Sequence, residues 1–214
     1  MPDDTIQIDS SSKDYPARLR DPELSLRYAS LSVIADVRLL NRQLLGLLCS
    51  TRRLGDAILK TYDLARALRA ASVPVIGGFH SPMEKEILDF LLRGNQPIVI
   101  CPARSIDRMR VPSNWRVGIN SQRVVVVSPL TKLNRRATSN LAEERNVFVS
   151  DASEEIVVLY ADPGGRIDLL SRDLIIKGRT VWTLDVPDNA SLIQAGARPS
   201  TPEALAQTCR YWYS

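Results

Sequence analysis

A short run of hydroxyl and basic residues follows the first strongly apolar segment of the sequence. Ser50, Thr51 and Arg52 come directly after residues 44–49 and precede a segment with helical periodicity. Small hydroxyl residues let the backbone approach a phosphate, free N–H groups at a helix N-terminus attract anions, and arginine adds a bidentate donor. The run therefore predicts an anion-binding turn, with a plain connecting loop as the alternative.

A pair of glycines marks a second candidate site. Gly77 and Gly78 end an apolar segment, and Ser81 then begins a helix with strong start signals, since a proline follows at once and a glutamate three residues later. A glycine turn before a helix can bind an anion. His80 lies in this turn. We expect a hydrogen-bonding loop histidine rather than a general base, because the sequence places no nucleophile or carboxylate beside it.

Two further segments combine suitable residues. Gly164 and Gly165 stand between a predicted strand and a predicted helix, which suits phosphate binding, although the run is neither a Walker loop nor a dinucleotide fingerprint. Arg145 and Asn146 lie in another predicted helix. They reach a ligand only if their turn of that helix faces the ligand-binding crevice of the fold. The alternative for Arg145 is a surface ion pair with a neighbouring glutamate.

The cysteines and the histidine argue against metal and nucleophilic chemistry. The three cysteines, Cys49, Cys101 and Cys209, are widely spaced, and His80 is the only histidine. Such a set predicts neither a disulfide framework nor a zinc site and favours buried thiols in a reducing cytoplasm. No G-x-S-x-G elbow is present. We therefore expect a binding protein rather than a catalyst, with no metal and no cofactor.

Positive charge is concentrated in the middle of the chain. The sequence has 28 basic and 24 acidic residues, a net charge of +4. Within residues 104–136, only Asp107 opposes a group of basic side chains: Arg104, Arg108, Arg110, Arg116, Arg123, Lys132, Arg135 and Arg136. Such clustering can attract a phosphate backbone, and an ordinary solvated surface is the alternative.

Apolar runs and helical periods alternate along most of the chain. Strands are predicted at residues 44–49, 73–76, 97–101, 123–128, 155–160 and 180–184. Helices are predicted at residues 24–40, 54–70, 81–94, 133–148 and 166–177, with short ones near 191 and from 202. Continuous apolar strands alternating with helices predict an α/β fold, a Rossmann-like, doubly wound, mainly parallel sheet with helices on both faces. Ligands of such sheets bind beyond the carboxyl ends of the strands, which indicates the segments that follow residues 49, 76, 101, 128 and 160. Residues 1–22 are polar and are expected to be mobile or loosely attached.

Several of these segments, in this order, resemble motifs of the DprA/Smf family of DNA-processing proteins. Residues 47–52 (L-L-C-S-T-R) are similar to the family's strand and G-[ST]-R turn, and residues 145–149 (R-N-V-F-V) to its R-N-R-[IL]-I segment. Residues 178–185 (G-R-T-V-W-T-L-D) resemble G-R-x-V-x-A-V-P-G. Residues 189–197 (N-A-S-L-I-Q-A-G-A) resemble N-x-L-I-x-x-G-A, which is the most specific match.

The resemblance covers residues 28–199, between a polar N-terminal extension (1–27) and a C-terminal helical tail (200–214). Members of that family bind single-stranded DNA and load a RecA-type recombinase in natural transformation, without known catalysis, and often dimerise through this domain. The resemblance therefore implies a homodimer that binds single-stranded DNA or nucleotides. No run of 18 apolar residues is present, so we expect no membrane partner, and the cysteines already favour the cytoplasm. Arg52, Arg145 and Asn146 are the pocket residues that the resemblance implies.

A second resemblance provides the alternative function. The lonely-guy (LOG) nucleotide phosphoribohydrolases share this Rossmann type, and their P-G-G-x-G-T-x-x-E motif resembles Pro163, Gly164 and Gly165 at its start. Ile167, Asp168 and Ser171 then stand where glycine, threonine and the catalytic glutamate belong, so we do not expect that hydrolysis. A small-nucleotide sensor or processing enzyme remains the alternative to DNA binding.

Overall fold

The computed structural model describes residues 4–51, 57–130, 134 and 136–210. The strands are β1 (Ile6–Asp9), β2 (Ser30–Ile34), β3 (Leu45–Cys49), β4 (Val75–Gly77), β5 (Ile98–Ile100), β6 (Val124–Ser128), β7 (Glu155–Tyr160), β8 (Val181–Leu184) and β9 (Arg198–Ser200). The helices are α1 (Pro22–Arg27), α2 (Ala57–Ala70), α3 (Pro82–Leu91), α4 (Ser113–Asn120), α5 (Ser139–Ala152), α6 (Arg166–Ile176), α7 (Ala190–Gln194) and α8 (Pro202–Arg210). Within these described ranges, no helix is long and apolar enough to cross a bilayer.

All of these strands belong to one sheet with the order β1-β2-β6-β5-β4-β3-β7-β8-β9. The strands from β6 to β9 along this order are parallel, whereas β2 pairs antiparallel with both β1 and β6. This arrangement confirms the predicted α/β class and the mainly parallel sheet. From β3 the chain first builds outward through β4, β5 and β6, and then returns through α5 to place β7 on the other side of β3. This reversal is the topological switch point at which ligands of such sheets bind.

Alternate side chains of each central strand enter two separate cores. In β3, Leu45 and Leu47 pack on one face with α2, α3 and α8, whereas Leu48 points to the opposite face with α5 and α6. The two-residue period of an extended strand produces this division. Because helices cover both faces of the sheet, the strand is apolar throughout. Burial of each leucine side chain contributes roughly 1.5–3 kcal/mol to the free energy of folding.

The N-terminal part of the chain differs from the prediction. Residues 24–40 were expected to form one helix, but they form the end of α1, then β2, then a 3-10 turn over Val37–Asn41. Strand β2 is stabilised by pairing with β6 across the sequence, and Ala35 after it has a positive φ of 80°, which no helix allows. Local periodicity cannot detect such long-range pairing.

The preceding residues are also more firmly attached than expected. Residues 1–22 were expected to be mobile or loosely attached, yet β1 is the edge strand of the sheet, and Tyr15 and Leu19 are fully buried. The Tyr15 hydroxyl donates a hydrogen bond to the carbonyl oxygen of Tyr28 at 2.8 Å. Three other features differ from the prediction. Helix α5 begins at Ser139 instead of residue 133, where the Thr138 hydroxyl caps it, and α4 and β9 were not predicted.

Gly46 in β3 sets the distance between the sheet and α5. A Cβ atom at this position would overlap the hydroxyl oxygen of Ser153, the residue that caps the C-terminal end of α5. The Ser153 hydroxyl is buried and donates a hydrogen bond to the carbonyl oxygen of Val149. A glycine here lets α5 pack closely on the strand at the switch point.

Replacing this glycine should therefore destabilise the fold. We expect Gly46→Ala to lower the free energy of unfolding by about 1–3 kcal/mol, because the methyl group forces β3 and α5 apart. Urea denaturation followed by circular dichroism measures the change. In a double-mutant cycle with Ser153→Gly, part of the loss should be recovered. Full additivity of the two substitutions would contradict the proposed contact.

Candidate functional site

A cleft of about 260 Å³ opens at the carboxyl ends of β4, β3 and β7. Its walls come from the ends of these strands, from the start of α3, from the first half of α5 and from the start of α6. The lining residues are Cys49, Ser50, Thr51, His80, Ser81, Glu84, Ser139, Ala142, Glu143, Arg145, Asn146, Asp162, Gly165, Arg166 and Ile167. The cleft thus brings together six of the predicted site residues: Ser50, Thr51, His80, Arg145, Asn146 and Gly165.

Ser50 joins the two loops at the centre of the cleft. Its backbone N–H donates to the carbonyl oxygen of Tyr160 at 2.9 Å, and its hydroxyl accepts from the N–H of Asp162 at 3.0 Å. These bonds extend the pairing of β3 with β7 by one residue and hold the floor of the cleft. Thr51 is exposed beside it. Arg52, the third residue predicted for this turn, lies outside the described residues.

Arg145 is a buried cation that makes no ion pair with any residue that the structure describes. The side chain is only 4% exposed, and its Nη1 donates to the carbonyl oxygen of Cys101 at 3.3 Å. The Nε atom has no hydrogen-bond partner, and within the described ranges the guanidinium makes no ion pair. The alternative of a surface pair with a neighbouring glutamate is therefore wrong, since Glu143 pairs with Arg166 at 3.4 Å instead.

Gly78 provides the space that Arg145 occupies. A Cβ atom at Gly78 would overlap the guanidinium group, so any other residue would displace it. Gly77, the last residue of β4, is in contact with the ring of Phe79, which is buried under the loop. The two glycines therefore shape the wall behind the arginine and are not themselves part of the cleft lining.

The start of α3 is closed to an anion. The Ser81 hydroxyl accepts from the N–H of Glu84 at 3.2 Å. In return, Glu84 Oε2 accepts from the N–H groups of Ser81 and His80 at 2.8 and 3.2 Å. This is the capping box that the sequence predicts, and it occupies N–H groups that an anion would need. The imidazole of His80 is exposed at the rim.

The N-terminus of α6, in contrast to that of α3, has no side-chain cap. Gly165 is the residue before the helix. The two glycines do not offer their N–H groups to a phosphate as the sequence predicted. The N–H of Gly164 donates to the carboxylate of Asp168 at 3.0 Å, and that of Gly165 donates to the carbonyl oxygen of Asp162 at 2.8 Å. The first helical residues, Arg166 and Ile167, line the cleft instead, and their N–H groups carry the positive end of the helix dipole.

Residues at the positions of the phosphoribohydrolase motif have internal partners. Asp168 is buried and accepts from Arg172 Nε at 3.0 Å in addition to Gly164. The hydroxyl of Ser171, where that family has its catalytic glutamate, donates to the carbonyl oxygen of Ile167 at 2.6 Å. Both side chains stabilise the first turns of α6.

The arginine-rich segment does not form a single patch in the described part of the chain. Arg104 follows β5 and is exposed at the carboxyl edge of the sheet, the same edge as the cleft. Arg123 immediately precedes β6 and so lies at the amino ends of the parallel strands, on the opposite side of the sheet from the cleft. Its Nη2 donates there to the carbonyl oxygen of Leu92 at 2.5 Å. The described arginines of this segment therefore do not all lie on the same side of the sheet as the cleft, and Lys132 and Arg135 lie outside the described residues.

Several lining residues, including Cys49 and Glu84, were not predicted as site residues. The position of ligands beyond the carboxyl ends of parallel strands could have included Cys49, which ends a predicted strand. Glu84 was assigned only to helix capping. No local signal could show that its carboxylate also faces the cleft, because that depends on how α3 packs against β3.

Burial of the three cysteines makes their thiols poorly reactive. Burial raises the pKa of Cys101 and of Cys209 to about 12. It raises the pKa of Cys49 further, with the negative charge of Glu84 as the second cause. All three are free thiols. Their environments match the sequence-based interpretation of buried structural thiols.

Comparison with solved structures identifies proteins with the same fold. DNA processing protein A (DprA) from Streptococcus pneumoniae matches with a TM-score of 0.77 at 12% identity, over 97% of this chain and 75% of that one. DprA from Helicobacter pylori, described for its single-stranded DNA binding mode, matches with a TM-score of 0.72 at 17% identity, over 95% of this chain and 94% of that one. A molybdenum cofactor binding protein from Rippkaea orientalis matches more distantly, at 0.55 and 10% identity, over 81% of this chain and 98% of that one.

These likenesses show that the chain has the Rossmann-like fold found in DprA, as the resemblance of the motifs predicted. No family model matches the sequence, and no curated protein does either. The fold is therefore shared at a sequence identity of 12–17%, at which the pattern of apolar residues persists but few individual side chains do.

The raised pKa values predict slow thiol labelling. With a pKa of about 12, only about one thiol in ten thousand is ionised near pH 8, and the thiolate is the reactive form. We expect an aromatic disulfide reagent to label the native protein at least about a hundredfold more slowly than the protein in guanidinium. Mass spectrometry of the native sample identifies any labelled site. Rapid labelling of Cys49 would contradict its burial under the cleft.

Proposed function

We propose that the cleft binds the phosphate backbone of single-stranded DNA and that the protein acts as a binding module without catalysis. The observation that carries this proposal is the buried side chain of Arg145, which lines the cleft, has an Nε atom without a hydrogen-bond partner and makes no ion pair in the described part of the chain. An unpaired buried charge is strongly unfavourable, and an anionic ligand relieves that cost.

The open N-terminus of α6 supports the same ligand. No side chain caps its first N–H groups, and its first two residues, Arg166 and Ile167, line the cleft together with Arg145. Helix N-termini and arginines together are the usual donors to phosphate oxygens. The two donor groups come from α5 and α6, so a ligand between them contacts both helices.

A polymeric ligand suits the position of the cleft. The rim residues Thr51, His80 and Ser139 are exposed, so a chain can enter and leave the cleft at the carboxyl edge. The DprA structure from Helicobacter pylori, which has this fold, is described as binding single-stranded DNA. A role in DNA processing or recombination, a RecA-type partner, a homodimer and a cytoplasmic location are parts of the same proposal.

A mononucleotide is the second candidate ligand. A cleft of about 260 Å³ is slightly smaller than typical small-molecule sites of about 300–1,000 Å³, a size that favours a ligand no larger than about one nucleotide. A nucleoside monophosphate added to a DNA titration separates the two functions. Displacement at similar concentrations of mononucleotide and oligonucleotide favours the sensor, whereas a large preference for the oligonucleotide favours DNA binding.

Removing the charge of Arg145 should weaken binding without unfolding the protein. We expect Arg145→Met to lower the affinity for a fluorescent single-stranded oligonucleotide of mixed sequence at least about tenfold, because a charge that contacts phosphate is lost. Thermal stability should stay equal or rise, because an apolar side chain replaces an uncompensated buried charge. Fluorescence anisotropy at low salt measures the affinity, and the affinity of the unaltered protein should fall steeply with added salt.

The matched control is Arg123→Met. It removes the same charge from a partly buried arginine at the amino ends of the strands, on the opposite side of the sheet from the cleft. It should change the affinity for DNA less than about twofold. Equal losses of DNA affinity in both variants would show that only the net charge of the protein matters, and not the position of Arg145. No binding by the unaltered protein at low salt would refute the proposed function.

The ion pair between Glu143 and Arg166 should weaken phosphate binding. The pair joins the first turns of α5 and α6 at the rim, with both side chains about half exposed. We expect Glu143→Gln to raise DNA affinity about two- to fivefold, because it frees Arg166 and removes a negative charge from the cleft. Glu144→Gln is the control, since the neighbouring glutamate faces a different groove, beside Arg27 and Tyr28. An equal gain from both variants would show a general charge effect only.

A further inference from the structure

The carboxylate of Glu84 faces the same cleft as the phosphate-binding groups. The residue is 4% exposed and belongs to the lining of the cleft. Its Oε2 accepts the two N–H bonds of the capping box, whereas Oε1 has no hydrogen-bond partner within the described ranges. One carboxylate oxygen is therefore held in place, and the other is free to accept a hydrogen bond from a ligand.

A buried carboxylate is unfavourable in a site that holds only phosphate. Its negative charge repels the ligand, and the capping box alone would not require it to line the cleft. Glu84 also lies close enough to Cys49 for its charge to raise the pKa of that thiol, which places the carboxylate at the end of β3. The cleft therefore has positive groups on α5 and α6 and a fixed hydrogen-bond acceptor on α3.

A nucleotide has the complementary division of charge. Its phosphate is negative, and the edges of cytosine, adenine and guanine carry exocyclic amino groups that donate hydrogen bonds. We infer that Glu84 accepts a hydrogen bond from the exocyclic amino group of a nucleobase whose phosphate lies at Arg145 and the α6 N-terminus. This inference rests on the proposed function and adds a base preference to it.

Thymine and uracil are disfavoured by the same geometry. At position 4 they present a carbonyl oxygen, and their single N–H lies between two carbonyl oxygens that a carboxylate repels. The cleft should therefore distinguish cytosine from uracil, two bases of the same size that differ at this edge. A site that held only phosphates would bind both equally, because backbone contacts are independent of sequence.

The test compares fluorescent oligodeoxycytidine with oligodeoxyuridine, each of about 15 nucleotides, by anisotropy. We expect the unaltered protein to bind the cytidine strand about tenfold more tightly, the discrimination typical of one good base contact. Glu84→Gln keeps the capping box, because glutamine also satisfies this motif, but it turns a donor N–H₂ group toward the ligand. The preference should fall to about one or reverse, with thermal stability nearly unchanged.

The control variant is Glu86→Gln, which makes the same change of charge on the exposed face of α3, where Glu86 is hydrogen-bonded to Tyr62. It should retain the full preference for cytidine. Equal affinity of the unaltered protein for both strands would refute the base contact and leave the proposed function intact. Absence of binding to either strand would refute both. A preference that persists in Glu84→Gln would assign the discrimination to another residue and also overturn this inference.

Discussion

The position of β3 between β4 and β7 is the constraint on which the site depends. Parallel strands end at one edge of the sheet, so neighbouring strands bring their following loops into contact. Because the chain builds outward from β3 in one direction and then in the other, residues far apart in sequence meet at this edge. Ser50 and Asp162 are hydrogen-bonded across this junction. Gly46 allows α5 to cross closely behind it, and α5 delivers Arg145 to the cleft.

The cleft contains two helix starts of opposite character. The N-terminus of α3 is satisfied by its own side chains, and the resulting capping box fixes Glu84 as an acceptor. The N-terminus of α6 lacks a side-chain cap. The buried guanidinium of Arg145 adds a positive charge that makes no ion pair with any described residue. This combination of one acceptor with several donors is more specific than a basic surface, and it is the reason for proposing a nucleotide-containing ligand.

The structural neighbours show the fold and leave the ligand to be argued from the site of this chain. DprA structures match at TM-scores of 0.72–0.77 although only 12–17% of aligned residues are identical. A fold persists at such identity because many different apolar sequences fill the same two cores. A binding site depends on a few individual side chains, so the arginine, the glutamate and the helix start of this chain carry the functional assignment by themselves.

The sequence alone determined the elements whose signals are local. The apolar strands from β3 to β8, the capped start of α3 and the glycine turn before α6 follow from composition and periodicity over a few residues. The rule for parallel sheets then predicted that their carboxyl ends share one site, and six predicted residues do line the cleft.

Only the tertiary structure decided which partners the side chains have. The pairing of β2 with β6 overrode a helical pattern, and the packing of α5 against Gly78 buried Arg145, which the sequence allowed to be a surface residue. The tertiary packing also pairs Glu143 with Arg166 and places Glu84 in the lining of the cleft. These contacts join residues that are distant in the chain, and their energies depend on burial and distance in space, which no local pattern of residues encodes.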